Sequence, residues 1–96
     1  MTSPNFMNVV RFKLKKDCVD KYFKVMNKTA FEGMIQRYIA KTGDYEYCFV
    51  GIWKNSEAIA AQRPKMIAHL DEVRGLMEEL SPGKGVTDPV SGNIIA

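Results

Sequence analysis

No run of apolar residues in this chain approaches the roughly 20 that a helix needs to cross a bilayer, so a helical membrane span is excluded. Cysteine is scarce: Cys18 and Cys48 carry no C-x-x-C spacing and read as two reduced, partly buried thiols of a cytoplasmic protein. His69 is the sole histidine, and with no clustered carboxylates or thiols around it an ordinary zinc site is excluded. No glycine-rich phosphate loop follows a strand. Ser81, His69 and Asp71 are near in sequence, but nothing around them resembles a nucleophile elbow. The segment Met1-Thr2-Ser3-Pro4-Asn5 has neither a charged n-region nor an apolar h-region, so the expected location is cytoplasmic. A net charge of +3 is mild for 96 residues, and nucleic-acid fingerprints are missing. Lys13, Lys15, Lys16, Lys21, Lys24 and Lys28 read as a strand end and a solvated helix face.

What remains is one globular domain, 1–96, with an ordinary hydrophobic content of 46%. Its most informative stretch is Tyr45-Glu46-Tyr47-Cys48-Phe49-Val50-Gly51-Ile52-Trp53. In a strand, Tyr45, Tyr47, Phe49 and Trp53 point to one side and Cys48, Val50 and Ile52 to the other. Both faces are apolar, whereas an antiparallel strand of a small domain commonly wets one.

Residues Asn5 to Lys15 alternate as a first strand, with Phe6, Asn8, Val10, Phe12 and Leu14 on one face. Asp17 is the expected N-cap of an amphipathic helix whose apolar stripe is Val19, Tyr22, Phe23, Met26 and Ala30, ending near Gly33. Met34 to Lys41 is a second strand and Thr42-Gly43-Asp44 a short turn into the aromatic strand. A helix opening at Asn55-Ser56 meets Pro64 after about two turns. A proline inside a helix costs roughly 3 kcal/mol, so a break is expected there. The second segment would bury Met66, Leu70, Val73, Met77 and Leu80 and stop at Pro82-Gly83. The tail from residue 85 to 96 holds no alternating run long enough for a firm fourth strand; it is expected to pair briefly or to reach a partner subunit.

This order is α+β, a ferredoxin-like βαββαβ: a four-stranded antiparallel sheet with two helices on one face. Covering the open face would bury several hundred Å² of apolar area per subunit at roughly 25 cal/mol per Å², so a homodimer through the sheet faces is expected.

On Phe49-Val50-Gly51-Ile52-Trp53-Lys54-Asn55-Ser56-Glu57-Ala58, a strand ending in Trp followed by Ser-Glu-Ala opening a helix, the chain resembles the antibiotic biosynthesis monooxygenase-like group of the dimeric α+β-barrel superfamily. The helix bearing Pro64 and His69 adds to the likeness, which spans most of residues 5 to 80. Members of that superfamily include cofactor-independent monooxygenases of anthrone- or quinol-like aromatics, haem-degrading enzymes, enzymes of small lactones or aldehydes, and proteins with no established activity, so fold does not fix function. The resemblance implies a site between the helices and the concave sheet face, and no cofactor. His69 and Asn8 are the candidate catalytic residues, with Trp53, Tyr45, Tyr47 and Arg37 as candidate substrate contacts. The haem-degrading members carry a tryptophan early in the second helix, where this chain reads Ala60-Ala61-Gln62-Arg63.

From the residues themselves, His69 lies about 60° round the helix from Met66, at the edge of the apolar stripe, where an imidazole moves protons at neutral pH. The alternative is a boundary histidine bonded to backbone. Asn8, an amide on an apolar strand face, must find a partner, structural or ligand. The aromatic strand equally suits core and interface packing. Two functions therefore stand: a small oxygenase of an aromatic substrate, or a non-catalytic dimeric small-molecule-binding or stress-related accessory protein whose helix–sheet space is filled by Met26, Phe23, Met66, Met77 and Phe49.

Overall fold

The computed structural model describes residues 5–81, 83 and 85–95. Strand β1 (Phe6–Leu14) is the spine of a five-stranded antiparallel sheet. One edge of β1 pairs with β3 (Glu46–Trp53), from Phe6 opposite Trp53 to Lys13 opposite Glu46. Its other edge is shared by β5 (Thr87–Asn93) and the two-residue β4 (Met77–Glu78). Strand β2 (Met34–Gly43) flanks β3 on the outside. Helices α1 (Val19–Lys28) and α2 (Ser56–Val73) cover one face, so the ferredoxin-like α+β architecture is the fold of this chain.

The β2–β3 hairpin turns on Asp44-Tyr45, where Tyr45 takes the left-handed conformation at φ 61°. The turn takes Tyr45 out of the aromatic strand. From Glu46 onward the alternation is as expected: Tyr47, Phe49 and Trp53 are buried under the helices, while Cys48, Val50 and Ile52 are half-buried on the opposite face.

Phe12, Leu14, Tyr22, Met26, Tyr47, Phe49, Val73 and Met77 form the main core. Within it Phe12 stacks on Tyr47 at 5.6 Å, and Phe23 meets Tyr47 edge-on at 5.5 Å. Trp53, Phe31 and Ile59 make a second, smaller cluster at the other end.

Five expectations are corrected. Asp17 does not cap α1; it lies in a 3-10 turn, Lys16–Cys18, and the helix starts behind Cys18 with no side-chain cap. Helix α1 also stops at Lys28, five residues before Gly33, because Arg37 of β2 takes its last carbonyls: Nη1 donates to the Thr29 oxygen at 2.6 Å and Nη2 to that of Met26 at 3.1 Å. Gly33 instead lets the loop press on α2. At φ 87° it adopts a left-handed backbone, and a Cβ there would stand 2.8 Å from the Ala58 Cβ.

Helix α2 is not broken at Pro64 but runs through it. Pro64 and Ala60, whose carbonyl loses its partner, both lie on the exposed side, where water satisfies the oxygen. Asn55 caps the helix, its Oδ1 accepting from Ala58 N at 2.9 Å. The helix ends at Val73, so Met77 is buried from strand β4 rather than from a helix turn, and Leu80 lies past it. Finally, the tail forms a seven-residue strand along β1, from Phe6 opposite Asn93 to Phe12 opposite Thr87. Its Pro89 is tolerated because β5 is an edge strand. The parts of the tail expectation that fall on residues 82, 84 and 96 lie outside the described residues.

On the face away from the helices, Tyr38, Val50, Val9 and Val90 stand side by side across β2, β3, β1 and β5. Tyr38 is 59% and Val90 66% exposed, and Met7 and Ile52 form the next row. No helix of the described residues is long and apolar enough to cross a membrane.

Candidate functional site

Between α2 and the helix-side face of the sheet lies a cavity of about 240 Å³. Val10, Phe12 and Phe49 form its floor, Tyr22 and Met26 one wall, and Met66, Leu70 and Val73 of α2 the roof; Met77, Thr87 and Pro89 also contribute to its lining. Its polar groups are few: Asn8, Tyr22, Arg63, His69 and Thr87. An apolar shell with a small number of converging polar groups is the usual form of a small-molecule site. The packing expected of a filled space does not occur, for Met26, Met66, Met77 and Phe49 line the cavity instead. Phe23 is turned away onto Tyr22 and Tyr47.

Asn8 is 5% exposed, the one buried polar side chain among the described residues. Its Oδ1 accepts from Trp53 Nε1 at 2.8 Å. It lies across Gly51 of β3, its register partner, where a Cβ would come within 2.5 Å of that oxygen. With the oxygen held and no other side-chain bond among the described residues, the Asn8 NH2 remains a donor at the cavity wall.

His69 is half-buried on α2. Its Nδ1 lies 3.4 Å from the Thr29 hydroxyl, and its ring meets Phe31 edge-on at 6.1 Å. The Thr29 hydroxyl already donates to the Val25 carbonyl at 2.9 Å. A hydroxyl has one proton, so toward His69 it can only accept. A hydrogen bond between the two uses a proton on Nδ1, which leaves Nε2 with its lone pair. Burial lowers the His69 pKa below 6.5; Glu72 opposes this and Arg37 adds to it. The imidazole is thus neutral at pH 7 and can accept a proton.

The other sequence-derived candidates are placed as follows. Trp53, 0% exposed, stands behind Asn8 and packs on Phe31 at 6.2 Å; it is not in the cavity lining. Tyr47 is core, stacked on Phe12 and met edge-on by Phe23. Tyr45 lies in the hairpin turn beside a separate surface depression with Lys16, Lys41 and Asp44. Arg37 is spent on the carbonyls of α1. Of the six candidates, the cavity wall gathers Asn8 and His69.

Three polar lining residues are absent from the sequence-derived candidates. Tyr22 sat in the apolar stripe of α1, and the hydroxyl on that stripe was the available signal. Burial pushes its pKa up to about 12, against the opposing charge of Arg37, and its hydroxyl points to the Met26 thioether at 3.8 Å. Arg63 is on α2, and Thr87 is on a strand that carries no alternation to announce it. Among the described residues no three His, Cys, Asp or Glu side chains gather as metal ligands.

No family model matches the chain, and no curated protein matches it in sequence. Solved structures match it closely in fold. A putative antibiotic biosynthesis monooxygenase from Nitrosomonas europaea superposes with a TM-score of 0.78 at 12% identity, covering 99% of this chain and 94% of that one. SnoaB, a cofactor-independent oxygenase from Streptomyces nogalater, does so with a TM-score of 0.74 at 14% identity, over 96% and 94%. A dimeric ferredoxin-like protein from an uncultured marine organism gives 0.70 at 11%, over 98% and 90%. The chain has the fold of the antibiotic biosynthesis monooxygenase-like proteins, as its sequence suggested.

Proposed function

We propose that this protein is a homodimeric, cofactor-independent monooxygenase of a small electron-rich aromatic, of the quinol or anthrone type. The observation that carries this reading is the apolar cavity with two complementary groups in its wall: a neutral imidazole able to accept at Nε2, and the Asn8 NH2 able to donate. His69 would take the phenolic or benzylic proton, and Asn8 would hold the resulting oxyanion. The substrate anion passes electrons to dioxygen; one oxygen atom ends in the product carbonyl and the other leaves as water. The fold shared with a cofactor-independent oxygenase supports the same reading. The dimer is supported by the row Tyr38, Val50, Val9 and Val90, an apolar face of the kind that soluble monomers seldom leave open. It is supported too by the likeness to a dimeric ferredoxin-like protein.

Oxygen uptake with quinol and anthrone substrates tests the proposal. His69→Gln, with its oligomeric state unchanged, is expected to lose about 10²-fold or more of the rate. Full activity in that variant would remove His69 from the chemistry. A second reading, a non-catalytic small-molecule-binding dimer, is favoured by one observation: no carboxylate bonds to His69 among the described residues, and the through-space attraction of Glu72 is outweighed by burial. Saturable binding with no oxygen uptake across the substrate series would select that reading.

A further inference from the structure

The charges around the cavity are one-sided. Arg63 is the formally charged residue in the lining; it lies on the exposed side of α2 and forms no ion pair among the described residues. Two further cations stand just outside. Lys65 places its Nζ 5.6 Å from the ring centroid of Phe31, a lining residue, while bonding the Ala30 carbonyl. Arg37 acts electrostatically on both Tyr22 and His69, each of them in the wall. Glu72 acts on His69 but does not line the cavity, and among the described residues no carboxylate does. At the buried end the polar group is again a donor, the Asn8 NH2.

Size narrows the ligand further. A cavity of about 240 Å³, filled at the density of about 0.74 found in protein interiors, holds roughly 180 Å³ of ligand atoms. That is the bulk of two or three fused aromatic rings. A single guanidinium pairs bidentately with a single carboxylate.

We propose that the cavity selects an aromatic acid: a fused-ring hydroxyaromatic whose rings lie among Phe12, Phe49 and Met66, whose oxygen meets Asn8, and whose carboxylate sits at the mouth on Arg63. This deepens the reading of the cavity as the ligand site and does not depend on turnover.

Isothermal titration with two ligands tests it: 6-hydroxy-2-naphthoate, a hydroxynaphthoate whose hydroxyl and carboxylate stand at opposite ends of the fused rings, and 2-naphthol, which lacks the carboxylate. The ring resonances of His69, the sole histidine, report whether binding is in the cavity. The hydroxynaphthoate is expected to bind about tenfold tighter at low salt, with the difference shrinking to about twofold in Arg63→Gln and on adding salt. Equal affinities, a preference retained in Arg63→Gln, saturation that leaves the His69 resonances unmoved, or binding of neither ligand would each overturn the assignment. Arg63-dependent binding without oxygen uptake upholds it and removes the oxygenase reading. Oxygen uptake with uncharged quinols and no preference for the acid does the reverse.

Discussion

The indole N–H of Trp53 donates to Oδ1 of Asn8 at 2.8 Å, a diagonal contact between β3 and β1 made over the bare backbone of Gly51. It gives each buried polar group its partner and settles which end of the Asn8 amide is left for a ligand. Trp53→Phe leaves that oxygen unpaired in an apolar setting, which costs about 1–3 kcal/mol. A denaturant titration should show this loss, and Asn8→Ala in the Trp53→Phe background should add much less than Asn8→Ala alone.

Gly51→Ala puts a methyl 2.5 Å from Asn8 Oδ1 and 3.1 Å from atoms of Met34 and Phe49. The Asn8 side chain must move and its bond to Trp53 lengthens. About 1–3 kcal/mol of stability is expected to go, as in other overpacked cores. A red shift of the Trp53 emission should accompany it, since Trp53 is the sole tryptophan. An unchanged melting curve would show that the strands part easily here.

Thr29 decides the tautomer of His69 because its own proton is committed to Val25. Nitrogen-15 spectra of the neutral ring should show the proton on Nδ1, and Thr29→Val should release that preference. Finding the proton on Nε2 in the parent protein would reverse the proposed acid–base role.

The lowered His69 pKa also has a sign in stability. The folded state holds this proton less tightly than the unfolded chain, whose histidine titrates near 6.5. The contribution is therefore complete above pH 6.5 and is lost as pH falls from there through the folded value. His69→Gln should flatten this part of the stability–pH curve. A His69 titration midpoint above 6.5 would contradict the burial that causes the shift.

Tyr22 should keep its phenolic proton far into the alkaline range. Its pKa is pushed up from 10.0 to about 12, so the stability tied to the neutral phenol is complete below pH 10 and falls as pH rises toward 12. The difference between parent and Tyr22→Phe absorbance at 295 nm should titrate near that upper value. A difference curve centred near 10 would mean that the hydroxyl reaches water.

Val50 lies at the centre of the open sheet face, between Val9 and Tyr38. Val50→Lys should convert a dimer to a monomer in sedimentation while leaving the helix-side core intact. A parent protein that sediments as a monomer at all concentrations would end the sheet-to-sheet assembly.

What the sequence by itself determined is local and periodic. Alternation along 45–53 and 5–15 placed both strands and their faces to within a residue at each end, and with the second strand and the two helical stretches it was enough for the βαββαβ order. The same alternation put Asn8 on the helix side, and a turn count along the second helix put His69 at the edge of its stripe. Only the tertiary structure decided the rest. Pro64 stays inside α2 because the carbonyl it deprives of a bond faces water, which no local propensity records. Strand β5 exists because β1 offers it a full edge, although Thr87-Asp88-Pro89 carries little strand preference of its own. Trp53 stands behind Asn8, and Tyr22 with Arg63 on the cavity, because those relations join residues far apart in the chain. An apolar side chain reads the same whether it fills a space or lines one. Whether that space is empty depends on how far α2 stands from the sheet, a distance set by all the packing at once.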